Sequence, residues 1–442
     1  MKTRYLLVIL LLALAAAAML AAPQAAPRLE VVGAPVHLNT GDTLKFTVRA
    51  DDPAGVIAIL GITVRELQGV MEQLPPVGKS QWGFEFTFSP EFQQGVYTLD
   101  LVARDKDGFL VPLAPGSATR VRFTIGTESK PQAPPAPPFR VPLVERKVTG
   151  TGGKAILIRH PYRSLAGGWY KGMLHTHTTN SDGRTPPPVL VGKYLAHGFD
   201  WLMIADHQVV TRDERSDTGQ PIVRLLGAER ATSNGDMICI NFTDPQPSRL
   251  GQDTINLVTA KGGLVMFPHP AVPVGYDVGE LQRLQGEAMI EVSNGGREQI
   301  QPWEYLLTTG RMVWAAASDD FHGGPDGEPA YSFVCVTAPA CTPAAIVQNL
   351  RLGNFYASQG PTLSLSWRGN ALRVQADSSG GFSFRGPGGV PWASMRSNAT
   401  NAAVYEFTGE EQGYVRAEFV RSSDGKKAWT QPFWVSEVKS RR

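Results

Sequence analysis

Charge of one sign is missing from this sequence. Its 442 residues carry 42 Lys and Arg against 40 Asp and Glu, so no large single-signed field exists to recruit nucleic acid or an anionic membrane surface. Cysteine is scarce as well, with only Cys239, Cys335 and Cys341, which excludes a disulfide-framed scaffold and a thiolate zinc cage. At most one internal pair can form. Cys335 and Cys341 flank the turn-like Thr337, Ala338 and Pro339 and are close enough in sequence to pair, whereas Cys239 in the apolar run MICI reads as a small buried hydrophobe. After the first residues there is no second apolar run long enough to span a bilayer.

That first run is distinctive. Lys2 and Arg4 precede an apolar stretch from Tyr5 to about Ala22, followed by small residues to Ala26. This is the pattern of a secretion signal over residues 1–26, with a retained anchor as the other reading because the run is close to a membrane's thickness. No cysteine follows it for lipid attachment. The expectation is an exported protein, periplasmic or secreted, with no membrane contact once the signal is removed.

Gly 46, Pro 34 and 42% hydrophobic residues describe a loop-rich globular chain, long enough for two to four folding units. Residues 28–127 alternate apolar and polar in short runs such as LKFTVRADD and WGFEFTFSP, with Trp82, Phe84, Phe86 and Phe88 on one face. That pattern predicts an antiparallel, immunoglobulin-like β-sandwich. The proline-rich stretch from Lys130 cannot supply a sheet's backbone donors, so 128–150 reads as a stiff linker.

From 168 to 358 the rhythm changes to apolar runs alternating with helical patterns: YKGMLH, FDWLMIAD, IVRLLGAE, GLVMFPHP, AMIEVSN, MVWAAASDD and AYSFVCVT. The helical stretches include Pro186 to His197, closed by Gly198, and Ala344 to Leu352, closed by Gly353. Such alternation predicts parallel strands with crossover helices, a compact α/β protein with a distorted seven-stranded (β/α) barrel. Residues 361–438 return to strand patterns, with a hairpin around Asp424 and Gly425, and predict a small C-terminal β domain.

The chemistry-bearing residues fall at the ends of those apolar runs. His175 and His177 close the first, Asp206 and His207 the second, Glu229 the third, His269 the fourth, Glu291 the fifth, and Asp319, Asp320 and His322 the sixth. Strand ends of one sense converge on one face of a barrel, so residues spread along the chain would form one site. Each motif alone is commonplace. Five of the eight histidines in the chain lie in these positions, however, and that concentration points to a metal site. Imidazole and carboxylate donors suit Zn, Mn or Fe and an open, catalytic centre. His37 and His197 read as surface or packing residues, and His160 has no assignable place.

Taken in order, LHTHTTNSDG (174–183), ADHQ (205–208), GAE (227–229), PHP (268–270) and SDDFH (318–322) resemble the motifs of the PHP (polymerase and histidinol phosphatase) superfamily. The leader and the β-rich C-terminus resemble its exported, carbaryl hydrolase-like branch. The resemblance covers less than half the chain. It implies a PHP barrel and two or three divalent metal ions. His175, His177, Glu229 and Asp320 would bind the first, Glu229 would bridge to a second shared with His269, and Asp182, His207 and His322 would hold a third. Where the family often has a further histidine after the HP motif, this chain offers only Glu291 and Asn294. Asp206 and Asp319 adjoin ligands and would orient an imidazole, with Asp319 as an alternative ligand to Asp320.

The implied activity is hydrolysis by a metal-activated hydroxide, with Asp320 or His207 as the acid that protonates the leaving group. Arg230 and Arg297 follow site motifs and are candidates to hold a substrate phosphate or carboxylate, or else are ordinary exposed arginines. A phosphoesterase acting on a small phosphate ester is the leading expectation. A carboxylic or carbamate ester hydrolase is the second, suggested by Phe267, Trp303, Trp314 and Phe321 near the motifs. An extracellular binding protein on the same scaffold is the reading from another class.

Overall fold

The computed structural model describes residues 26–438 except 36, 40–41, 65–70, 75, 88–94, 107–110, 115–116, 126–135, 164–166, 213–214, 233, 245–249, 272–275, 277, 325–326, 330 and 396–399. All of the expected leader but Ala26 therefore lies outside the described residues. Among those residues no helix is long and apolar enough to cross a membrane. The chain divides into two compact units, 1–130 and 131–442.

In the first unit, Thr43–Asp51 buries every second residue, as a strand with one face on a core must. It pairs antiparallel with Arg28–Val32 and with Gln81–Thr87. A second sheet runs His37–Leu38, Arg120–Ile125, Gly95–Arg104, Ile59–Val64, Met71–Gln73. Leu44, Phe46, Val48, Trp82 and Phe84 of one sheet share a core with Leu60, Ile62, Tyr97, Leu99 and Phe123 of the other. The pairing of His37–Leu38 with Arg120–Ile125 is parallel.

The second unit does not form the expected (β/α) barrel. Among the described residues strand makes up 44% and helix 14%, a β-rich composition, and the sheets do not close. The strands that carry the motifs, with the helix after the first, are β1 (Gly168–Met173), α1 (Pro187–Ala196), β2 (Trp201–Leu202), β3 (Val223–Arg224), β4 (Gly227–Thr232), β5 (Gly235–Ile240), β6 (Leu264–Phe267), β7 (Met289–Asn294), β8 (Trp314–Ser318), β9 (Phe333–Ala338) and β10 (Phe355–Ser358). They split between two mixed sheets. One orders them β3-β2-β1-β9-β10, parallel from β1 to β3 and antiparallel from β1 to β10. The other orders them β4-β5-β6-β7-β8, with β4, β5 and β6 antiparallel and β6, β7 and β8 parallel.

The physical reason lies at Asn234-Gly235. Thr232 pairs with Gly235 across the turn, so β4 returns directly into β5 as a hairpin where a crossover helix was expected. The sheets share a buried core, Leu174, Trp201 and Val334 of one meeting Ile238, Met266 and Trp314 of the other, and among the described residues they exchange backbone pairing through two single parallel bridges, His207 with Glu229 and Thr176 with Phe321.

Two further boundaries differ from expectation. Within the stretch read as linker, Val144–Thr149 is a strand paired along its length with Ala155–His160. Residues 361–438 are not a detached domain, since Gly413–Arg421, Lys427–Trp429 and Phe433–Glu437 extend the sheet that holds β1, β9 and β10. All three cysteines are free, Cys239 and Cys335 buried. Cys335 packs with one core and Cys341 against another, so their side chains do not meet.

Candidate metal centre

The site lies where the two sheets touch. The residues after β1 bring in His175 and His177, those after β2 bring His207, and β4 presents Glu229. His269 follows β6 and Asp320 follows β8. Backbone strain concentrates here. Four described non-glycine residues have positive φ, of which His269 (29°), Asp320 (51°) and Gln208 (61°) sit at or beside the site. Conformations of this kind cost about 1–3 kcal/mol each and persist where surrounding structure imposes them.

Four ligand atoms converge in the interior. His175 Nε2 lies 3.0 Å from His177 Nε2, 3.1 Å from Glu229 Oε2 and 3.0 Å from Asp320 Oδ1. His177 Nε2 is 3.1 Å from each of the same two carboxylate oxygens. A tetrahedral ion with bonds of about 2.0 Å holds neighbouring ligand atoms about 3.3 Å apart, so this set is close to the spacing a metal would impose. Two ring nitrogens facing each other while both face carboxylates is an arrangement that a shared cation explains. Both histidines are fully buried and Glu229 is 1% exposed.

Glu229 divides its carboxylate. Oε2 faces His175 and His177, while Oε1 lies 3.1 Å from His269 Nε2. A third group is more open: His207 Nε2 and His322 Nε2 stand 3.5 and 3.3 Å from Asp182 Oδ2, and His177 Nδ1 is 3.6 Å from Asp182 Oδ1. The buried Nδ1 atoms of His177, His207 and His269 have no hydrogen-bond partner. His/Asp/Glu groups able to hold a metal ion are therefore present, and the buried donor set fits one.

Electrostatics points the same way. Burial opposes a charge on His175, but Asp320, Glu229 and Glu291 outweigh it and hold its pKa well above the usual imidazole value. Burial likewise opposes charge on Glu229 and Asp320, yet the surrounding histidines hold both carboxyls well below their usual range. His269 is pushed up to about 9, against burial, chiefly by Glu229. The cavity is thus one in which positive charge is favoured, and a divalent ion would displace imidazole protons on binding.

The surrounding residues sort by contact. Glu291, fully buried, accepts from His175 Nδ1 at 2.9 Å, from the His269 backbone N–H at 2.6 Å and from Asn294 Nδ2 at 2.9 Å. It orients two ligands from behind, and Asn294 also donates to Asp320 Oδ2 at 3.2 Å. Asp206 orients no imidazole: it accepts from the Thr178 N–H and hydroxyl and from Ser181, fixing the loop after His177. Asp319 accepts from the Ser332 N–H and the Tyr194 hydroxyl, which turns it away from the ligand set in favour of Asp320.

Arg230 does not face a substrate. It is 3% exposed and donates to the backbone carbonyls of Gln208 and Asp244. Arg297 is exposed on the short strand Arg297–Glu298 that pairs back onto the end of β7. Phe267, Trp303, Trp314 and Phe321 are all core residues. His160 stacks on Trp367 and packs against Phe433, remote from the ligands in sequence and in contacts. His37 hydrogen-bonds Thr124 and His197 pairs with Glu328, both exposed.

One residue of the site escaped the sequence. Asp236, at the start of β5, groups with Glu229 and His269 as a potential ligand. The signal was the Asn-Gly turn, whose register places Asp236 opposite Ala231, two residues along from Glu229 and on the same face.

No protein-family model matches the chain. No curated protein matches it either. Among solved structures, an endo-β-1,4-mannanase from Thermotoga petrophila is 9% identical over 24% of this chain and 20% of its own, with a TM-score of 0.17. An α2-macroglobulin from Salmonella, reacted with methylamine, is 8% identical over 93% of this chain but only 23% of its own, with a TM-score of 0.18. A trypsin-activated α2-macroglobulin from Escherichia coli scores the same 0.18, with 24% of its length covered. The chain spans about a quarter or less of these proteins, and similarity at this level carries no inference about fold or activity.

Proposed function

We propose that this protein is a metal-dependent hydrolase acting on a small phosphate ester. The observation that carries the reading is the convergence of His175, His177, Glu229 and Asp320, with each of the two imidazole Nε2 atoms 3.0–3.1 Å from the other and from both carboxylate oxygens. The ordered motifs that resemble the PHP superfamily add to it. Divalent ions in such a set would acidify water and polarise a scissile P=O. His175 and His177 are locked by burial, and Glu291 holds the His175 ring from its far side, so the donor set is pre-shaped. Glu229 presents one oxygen to each of two neighbouring groups. His207, 16% exposed in its side chain beside Asp182, is placed to pass a proton to a leaving group at the open edge. Asp320, hydrogen-bonded by two imidazoles, is the better ligand and the poorer acid.

The aromatic side chains that suggested a carboxylic or carbamate ester are core, which removes that argument for the second activity. The test is hydrolysis of p-nitrophenyl phosphate and p-nitrophenyl acetate by protein reconstituted with Mn(II) or Zn(II), with metal content measured alongside. Metal-dependent phosphate release that His175→Ala abolishes is expected. Preferential acetate cleavage would move the assignment to carboxylic esters, and bound metal without turnover of either ester would favour a binding protein.

A further inference from the structure

The Glu229 carboxylate has a second side. Its Oε1, turned away from His175 and His177, meets His269 Nε2 at 3.1 Å, and the Asp236 carboxylate completes a group whose ligand atoms all lie within 4.8 Å of one another. The β4–β5 hairpin makes this placement a consequence of register. Glu229 pairs with Ile238 and Ala231 with Asp236, so all four share one face and Asp236 lies diagonally across from Glu229. The Tyr276 hydroxyl donates to the Asp236 carbonyl and pins the backbone at that point. His269 comes from the other side of β5, after β6, with its backbone N–H held by Glu291 at 2.6 Å.

We propose that Asp236 is a ligand of a second metal position, formed with Glu229 and His269 and distinct in chemistry from the four-ligand position beside it. This rests on the reading of the centre as a metal site, but not on any reaction it performs. The first position offers two imidazoles and two carboxylates. The second offers one imidazole and two carboxylates, a harder set that suits Mn(II) better than the first position does. A six-coordinate ion with bonds of about 2.1 Å holds adjacent ligand atoms about 3.0 Å apart and opposite ones about 4.2 Å apart, and the 3.1 Å between His269 Nε2 and Glu229 Oε1 matches an adjacent pair. Asp236 is partly exposed, which leaves the ion's remaining coordination sites to water or substrate.

The experiment counts metal and leaves turnover aside. The full chain is stripped with chelator and titrated with Mn(II), and bound and free metal are followed by electron paramagnetic resonance and by elemental analysis. The wild type is expected to take up Mn(II) at both positions and to show a spin-coupled pair. Asp236→Asn is expected to lose the second equivalent and the coupling, with at least a tenfold weaker second step and an unchanged first. Asp236→His is expected to regain the second equivalent with its preference shifted toward Zn(II). Thermal melts of the stripped proteins separate a lost ligand from a lost fold. Full second-step binding by Asp236→Asn, or a wild type that takes up one equivalent only, would overturn the proposal. Normal loading without ester hydrolysis would sink the functional reading alone.

Discussion

At the scale of single residues, the centre and its surroundings show two ways of burying histidine. His175 is surrounded by Glu229, Glu291 and Asp320, so burial and charge are reconciled by carboxylates. His160 is buried among aromatic rings instead, stacked on Trp367 and packed against Phe433. Burial is the larger cause, with Arg146 and Arg163 adding to it, of a pKa pulled down to about 4. The sign follows. The unfolded chain takes up a proton near pH 6.5 that the folded one refuses until about pH 4, so stability is full above 6.5, falls between those values and levels off below. That difference corresponds to roughly 3 kcal/mol across the window. His160→Phe keeps the stacking and removes the titration, so its unfolding free energy between pH 6.5 and 4 should fall by less than the wild type's. Parallel pH profiles by urea denaturation would reject this account.

At the scale of elements, close approach decides the arrangement around β1. A Cβ on Gly172 would lie 1.8 Å from Trp201 Cε2, inside the indole ring that β2 lays against it. Trp201 is fully buried and donates to the Tyr170 carbonyl at 3.3 Å, so it has nowhere to swing. Gly172→Ala should cost at least about 1–3 kcal/mol, as overpacked cores do, and displace the strand end that carries His175. Guanidinium denaturation, with metal content measured on the same samples, checks both halves of that expectation.

Elements also show where the sequence was readable. His175 with His177, and Asp320 with His322, are legible because a two-residue spacing is local. The helices closed by Gly198 and Gly353 were legible too, since α1 ends beside Gly198 at φ 71° and Pro343–Leu352 ends at Gly353 with φ 76°. Strand direction was not legible. An apolar run such as MICI has the same composition whether its strand continues a parallel sheet or folds back antiparallel, and only the short turn at Asn234-Gly235 distinguishes them. Missing that turn cost both the sheet topology and Asp236. The roles of Asp206 and Asp319 were hidden for a related reason, because both lie in the segments just past the strand ends, where adjacency to a ligand in sequence does not fix which way a side chain turns.

At the scale of the molecule, the C-terminal strands are tied to the centre's support by a buried ion network. Arg416, 1% exposed on strand Gly413–Arg421, donates through Nε to Glu304 Oε1 at 2.6 Å and through Nη1 to Glu418 Oε2 at 3.2 Å. Glu304 belongs to the helix Ile300–Thr308, which packs on β7. Removing Glu304 leaves the buried Arg416 with Glu418 as its remaining carboxylate and takes the acceptor from the Tyr414 hydroxyl, so Glu304→Ala should destabilise the second unit by about 1–3 kcal/mol. A melting transition unchanged in that variant would show that the two segments fold without each other.

The single bridging pairs between the two sheets have a consequence for how the protein comes into being. Each sheet can complete its own hydrogen bonding without the other, whereas His207 with Glu229 and Thr176 with Phe321 can form only after both exist. The centre is complete only where those pairs have formed, across a core that both sheets supply, so its geometry reports whether the two have met. A chain whose sheets had formed but not met would keep its secondary structure and lack the centre, so backbone spectroscopy alone would not tell a finished sample from an unfinished one.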